Sequence, residues 1–368
     1  MKTNTAYWAM ILIAITSIRC SSGTQPREHA AEGTSGLYLV QVDGKYGFID
    51  GEGRTIVRPR FEFATNFAEG RALVRIKGKW AYIDENGTLK SNLFAEAWPF
   101  SEGMAPVKMA GKWGFIAKDG HMAIEPRFDC VGSFREGSAV VELEGKYGYI
   151  DTSGEIIIAP QFDEAWYFSD GLAMVKLDGL YGFIRKSGEW AVEPRFPRRG
   201  LSFREGAALV SLGGKAGFIG TDGEWLIEPR LDGAWSFSEG LAEFRAGEKQ
   251  GYLNKSGEVV IEAQFDGTES FREGMALVRI GGRHGYVDKT GKLVVPCKYE
   301  GALPWFQEGL AAVQADGKWG YIDKKGRTLI PHRFDAAGFF DRGLAAVAVG
   351  SIYGYIDKQG KWVWKHSR

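Results

Sequence analysis

GKYGFID at 44–50 is the stretch that decides the fold, because it returns along the whole chain. It reappears as GKWAYID (78–84), GKWGFIA (111–117), GKYGYID (145–151) and GLYGFIR (179–185). GKAGFIG (214–220), EKQGYLN (248–254), GRHGYVD (282–288), GKWGYID (317–323) and SIYGYID (351–357) complete ten copies. The step is about 34 residues, in the range of stacked repeat architectures. Within a copy the pattern has period two. Ala72-Leu73-Val74-Arg75-Ile76 and Trp80 to Asp84 alternate as half-buried strands. Between them Lys77-Gly78 turns the chain, and Asn86-Gly87 makes a second turn.

Two further landmarks repeat in phase. One reads phenylalanine, any residue, acid, glycine: FAEG (67–70), FSEG (100–103), FREG (134–137), FSDG (168–171), and onward to FDRG (340–343). The other is PRFE (59–62), which recurs as PRFD (126–129), PQFD (160–163), PRFP (194–197) and PRLD (229–232) and is blurred at Asn92-Leu93-Phe94. A third short strand precedes it, clearest at Glu155 to Ile158, and a connector opening on proline is expected to follow. Each unit reads as a three-stranded antiparallel meander too small to bury its own core, so neighbours must stack. The fold expected is all-β: ten tandem three-stranded β-meander repeats stacked as an open superhelical solenoid. Whole units at both ends favour that over the alternative, a closed β-propeller-like ring.

The lysine, aromatic, glycine core followed by Phe/Tyr-Ile-Asp, with Phe-x-Glu-Gly before it, resembles the bacterial WG-repeat family. The resemblance covers about residues 37–364. It implies tandem β units, often in exported or envelope proteins, with no assigned activity and no catalytic residues to carry over. Ala216, Gln250 and His284 replace the core aromatic in three consecutive copies, where different packing is expected.

The chain of 368 residues divides into a signal peptide (1–24), a flexible leader (25–36) and the repeat array (37–368). Lys2 followed by the apolar run Ala6 to Ile15 makes a charged segment and a core too short to span a bilayer, with small residues Ser21, Ser22 and Gly23 for cleavage. Cys20 is a candidate lipid anchor, although Ser17-Ile18-Arg19 before it matches a lipobox poorly. No other stretch is apolar for long enough to be transmembrane. Localisation is expected to be exported: periplasm, cell envelope or extracellular. Cys130 and Cys297 read as small buried hydrophobes.

Basic and acidic residues balance at 46 each, which argues against a nucleic-acid partner gripped through phosphates. The recurring aspartates (Asp50, Asp84, Asp151) lack a calcium loop's density of oxygens and read as turn caps. The recurring glutamates (Glu69, Glu102, Glu136) read as structural, since a glycosidase needs two specific acids in one cleft. No metal-ligand spacing and no catalytic motif is present, so neither cofactor nor enzyme activity is expected.

Two candidate sites remain. Trp98, Trp166 and Trp235 stand two residues before the connector phenylalanine in alternate connectors, with Trp305 one residue off; together they could form a ladder that binds sugars, peptides or cations. Arg195, Arg198, Arg199 and Arg204 could contact an anionic partner. Odd connectors carry arginine after the phenylalanine (Arg135, Arg204, Arg272) and even ones serine (Ser101, Ser169, Ser238), from ancestry or from structure. The function expected is an exported, non-enzymatic binding or scaffold protein with a protein or glycan partner. The alternative is an envelope structural or adhesion protein, lipid-anchored at Cys20.

Overall fold

The computed structural model describes residues 35–367. Residues 1–34, where the signal peptide, the Cys20 anchor and most of the leader are expected, lie outside the described residues. The described chain folds into ten antiparallel sheets, seven of four strands and three of three. It divides into two compact units, one running to Gly179 and taking in Ile184–Glu189, the other holding Leu180–Phe183 and Trp190 onward.

The fourth sheet shows how the repeat works. Ser138–Leu143 pairs with Lys146–Asp151, with Val141 opposite Gly148, and Lys146–Asp151 pairs in turn with Ile156–Phe162. The turn at Glu144-Gly145 is left-handed at both residues (φ 52° and 78°), the two-residue hairpin geometry that matches strand twist. Asp151 caps the next turn: its Oδ1 accepts from the backbone N–H of Ser153 at 2.9 Å and of Glu155 at 3.0 Å. The third strand is bulged on either side of Tyr149. At the bulge the strand backbone presses on Gly148, where a Cβ would stand 2.4 Å from the Ile158 carbonyl oxygen. That close approach is why the repeat needs its central glycine.

Two expectations about the unit are corrected. Proline does not open the connector: Pro160 lies inside the strand Ile156–Phe162, at the bulge, where a missing N–H is tolerated. The meander also gains a fourth strand in most sheets, here Cys130–Val131 pairing with Val141 and Glu142.

The second repeat breaks the pattern for the same steric reason. It carries Ala81 where the others have glycine, and its sheet stops at three strands, Phe63–Ala64, Ala72–Ile76 and Lys79–Ile83. The following segment makes only isolated bridges, Ile83 with Leu89 and Trp80 with Phe94. Ser91 Oγ accepts the Tyr82 N–H at 3.1 Å in place of a ladder carbonyl.

Within each unit the inner sheets are covered on both faces, so their strands read as continuous apolar runs. In the first unit Ala72 and Val74 pack with Phe48, Val57 and Phe61 of the preceding sheet, while Leu73 and Tyr82 pack with Phe100 and Val107 of the next. In the second unit Ala242 and Phe244 face Phe218 and Ile227, and Leu241 and Tyr252 face Phe271 and Val278. The Phe-x-Glu-Gly phenylalanine docks each time on the aromatic of the previous sheet's central strand. Ring centroids lie 4.9 Å apart for Phe115–Phe134 and 4.8 Å apart for Tyr252–Phe271. Burying one such ring contributes about 2–3 kcal/mol, and the ring pair adds about 1.

The open superhelical solenoid is therefore corrected. The all-β repeats are the blades of a ten-bladed β-propeller, the architecture held as the alternative. Antiparallel meanders repeated along the chain, four-stranded in seven sheets of ten and stacked on one another, have the form of propeller blades. Whole repeats at both ends do not oppose this, because phasing records where the chain enters a blade. It carries no information on the angle at which one face packs on the next.

Candidate functional site

The recurring polar residues join one blade to the next. In Arg272-Glu273-Gly274-Met275 the two central residues are left-handed (φ 53° and 77°), which costs a glutamate about 1 kcal/mol. The conformation is held because the Glu273 carboxylate spans the blade boundary. It accepts the backbone N–H groups of Glu308 at 2.8 Å and Gly309 at 3.1 Å, and pairs with Lys324 Nζ at 3.0 Å. Burial alone would raise its pKa, but Lys324 and the amides outweigh it and hold the carboxyl below its ordinary value. Glu69, Glu136, Glu205, Glu239 and Glu308 make the same kind of clasp. Glu273→Ala should cost about 2 kcal/mol, read as a lower urea midpoint, since charge-assisted bonds are lost and two amides are orphaned.

A second joint is made by the arginine of the PRF motif. Arg60 Nη2 donates to the Gly87 carbonyl at 2.7 Å and Arg230 Nη2 to that of Gly257 at 2.8 Å. Arg195 belongs to this set. Its Nη2 donates to the Gly223 carbonyl at 3.1 Å, and its guanidinium lies 5.2 Å from the Phe196 ring. Of the other basic candidates, Arg204 donates to Ser238 Oγ at 3.3 Å, Arg199 is half-buried and Arg198 is exposed. Two of the four arginines are thus already engaged in joining blades.

The alternating connector residues make different contacts. Even-connector serines donate to the next phenylalanine's carbonyl, Ser101 to Phe134 and Ser238 to Phe271, each at 2.8 Å. Odd-connector arginines reach forward, Arg135 over Tyr167 at 4.1 Å and Arg272 over Trp305 at 5.3 Å. Trp305 is therefore the counterpart of Tyr167, the residue just before the phenylalanine.

The four tryptophans differ in surroundings. Trp166 is buried at 2% exposure. Trp98 packs on Trp113 at 5.3 Å, and Trp305 stacks on Phe339 at 4.9 Å with an interplanar angle of 6°. Trp235 is 43% exposed, and among the described residues no aromatic ring stacks on it.

Departures from the repeat gather around Trp235. The carbonyl opposite the Trp235 N–H belongs to Glu243, at 3.1 Å. In other connectors that residue is apolar: Leu73, Pro106, Val140, Met174, Leu209, Leu277 or Ala312. Glu243 is 4% exposed, its Oε2 has no hydrogen-bond partner, and burial pushes its pKa up to about 6. Ser270 bonds its carboxyl, Glu269 adds like charge, and Arg204 opposes it. Glu269, on the next blade's connector, is itself raised by burial while keeping its carboxylate accessible to solvent.

Beside these lies a cavity of about 270 Å³ lined by Gln250, Asp266, Thr268, Glu269, Arg279 and His284. Gln250 and His284 stand where other repeats carry a tyrosine or tryptophan, so the missing rings help open the space. Gln250 Oε1 accepts from the N–H of Thr268 at 2.8 Å and from its hydroxyl at 3.0 Å, while His284 Nδ1 is buried without a partner. The substitutions at 250 and 284 were visible in the sequence. Glu243 was the missed residue, although Leu241-Ala242-Glu243-Phe244 set against Leu172-Ala173-Met174-Val175 carries the signal.

Cys297 is a free, half-buried thiol, and Cys130 is buried. Among the described residues no helix is long and apolar enough to cross a membrane.

In fold the chain is similar to a crystal structure titled as the eukaryotic initiation factor. The TM-score is 0.51 at 10% identity, over 90% of this chain and 96% of that one. Weaker likenesses are to BamB from Moraxella catarrhalis (TM-score 0.36, 13% identity, 82% of this chain and 95% of that one) and to Kluyveromyces lactis Hsv2p (TM-score 0.36, 9% identity, 63% and 94%). No curated protein matches the sequence. The WG containing repeat matches it nine times in succession, from 46–80 through 80–113 and onward to 319–351. With its in-phase glycines, docked phenylalanines and glutamate clasps, this chain belongs to the WG containing repeat family.

Proposed function

We propose that the protein is an exported, non-enzymatic binding scaffold whose β-propeller blades present a surface to a protein partner. One observation carries the reading. The glutamates and arginines that recur along the repeat are consumed in joining blades, and the departures from the repeat concentrate around Trp235 and the Gln250–His284 cavity. Residues invested in architecture are not free for chemistry, whereas a local departure from a repeat suits recognition. The charged and apolar start of the chain supports export.

The test has two arms. Crosslinking mass spectrometry on cells that make the full chain is expected to return one reproducible partner, with crosslinks on lysines near the seventh and eighth blades. Crosslinks scattered evenly over all blades would favour a passive structural or adhesion role instead. Mass analysis of the mature N-terminus should find cleavage near residue 24 for an exported chain; an intact Met1 overturns export, and an acylated Cys20 establishes the lipid anchor.

A further inference from the structure

We propose that Trp235, Glu243 and Glu269 form a recognition site for an organic ammonium group, such as the side chain of a lysine on the partner. The inference deepens the binding-scaffold reading and rests on it.

Three features of the site carry it. The strand register pairs Gly233 with Arg245 and Ala234 with Phe244, so Trp235 and Glu243 stand opposite each other on one sheet face. Opposed side chains in an antiparallel pair have Cβ atoms roughly 5 Å apart. The two side chains therefore leave neighbouring positions on the same face, Glu243 buried and Trp235 with more than two fifths of its surface in solvent. Second, Glu243 Oε2 is buried and unpartnered. A buried acceptor without a donor is costly, and every counterpart blade avoids that cost with an apolar residue. An ammonium held at the exposed Trp235 ring and the exposed Glu269 side chain offsets part of that cost through its charge. Third, Glu243 feels the like charge of the nearby Glu269, and Arg204, which opposes it, is also turned to Ser238 Oγ. An aromatic face beside excess negative charge is the chemistry that selects ammonium over neutral or anionic groups.

Tyr252 donates its hydroxyl to the Glu269 carbonyl at 2.7 Å and is kept protonated by burial, and Asp266, Arg279 and His284 line the cavity beside Glu269. Ammonium binding weakens as Glu243 takes up a proton near pH 6.

The probe is Nα-acetyl-lysine methylamide, titrated into the protein near pH 7.5 and followed by the Trp235 indole N–H signal and by fluorescence. Saturable binding is expected, weakened about tenfold by Glu243→Gln and by Trp235→Ala. Circular dichroism and the urea midpoint of each variant establish that it has folded. The norleucine counterpart, apolar and of equal length, should not bind. Equal binding of norleucine makes the site an apolar patch and overturns the proposal. So does an affinity unchanged in Glu243→Gln. Binding of a neutral glucose trisaccharide at Trp235, with no response to the lysine probe, makes it a glycan site and overturns it as well. Partner crosslinking that persists in Glu243→Gln while the probe fails would sink this site and leave the scaffold reading standing.

Discussion

Gly148→Ala is expected to dissolve the pairing between Lys146–Asp151 and Ile156–Phe162 and to cost roughly 3 kcal/mol or more. The added Cβ would stand 2.4 Å from the Ile158 carbonyl oxygen and 2.7 Å from the Pro160 nitrogen. Both obstacles are backbone atoms, so no side-chain rotation relieves the overlap. The second blade shows the outcome in place: with Ala81 at the equivalent position, its third strand is reduced to isolated bridges. The measurement is the urea midpoint together with amide exchange of Ile156 and Ile158, which should lose protection first. Gly132→Ala is the internal control, because the nearest atom to its Cβ lies at 3.7 Å. A Gly148→Ala protein within about 1 kcal/mol of wild type, its third strand still protected, would refute the steric account.

Glu243→Leu is expected to stabilise the protein, with a gain that depends on pH. The folded-state pKa of Glu243 stands at about 6 against an ordinary 4.5. A carboxyl raised in this way is protonated in both states well below 4.5 and carries no penalty there. Between 4.5 and about 6 the unfolded chain loses its proton first, so stability falls as pH rises through that window. The loss amounts to about 2 kcal/mol once both states are ionised. Leucine, the residue at the matching place in the second, sixth and eighth blades, removes the ionisation and the orphaned oxygen together. Near neutral pH the variant should exceed wild type by about 2–4 kcal/mol, and the excess should shrink by about 2 on acidification. Urea titrations at both ends of the window decide it. A pH-independent difference would mean that the carboxyl ionises as it does in water.

Both expectations concern residues whose meaning depends on scale. Gly148 could be placed at the centre of the repeat from its recurrence alone, and so could the left-handed Glu-Gly turns and the aspartate caps. Glu273 was legible as structural, since a residue repeated in every unit serves the unit. Its partners were not legible, because Glu308, Gly309 and Lys324 are brought to it by blade stacking and not by the period. The tryptophan series shows the limit most clearly. Spacing placed Trp98, Trp166 and Trp235 in register, yet one is buried, one half-covered by Trp113 and one exposed.

By itself the sequence determined the local terms: strand period, turn chemistry, the number of repeats and the family to which they belong. These depend on residues within a few positions of each other, where backbone sterics and side-chain alternation act directly. The tertiary structure alone decided that the repeats are propeller blades and not turns of an open solenoid, because the angle between stacked sheets comes from the packing of two whole faces. It also decided that Glu243 lies buried beside an exposed Trp235, since burial belongs to neighbours that the chain supplies from another blade.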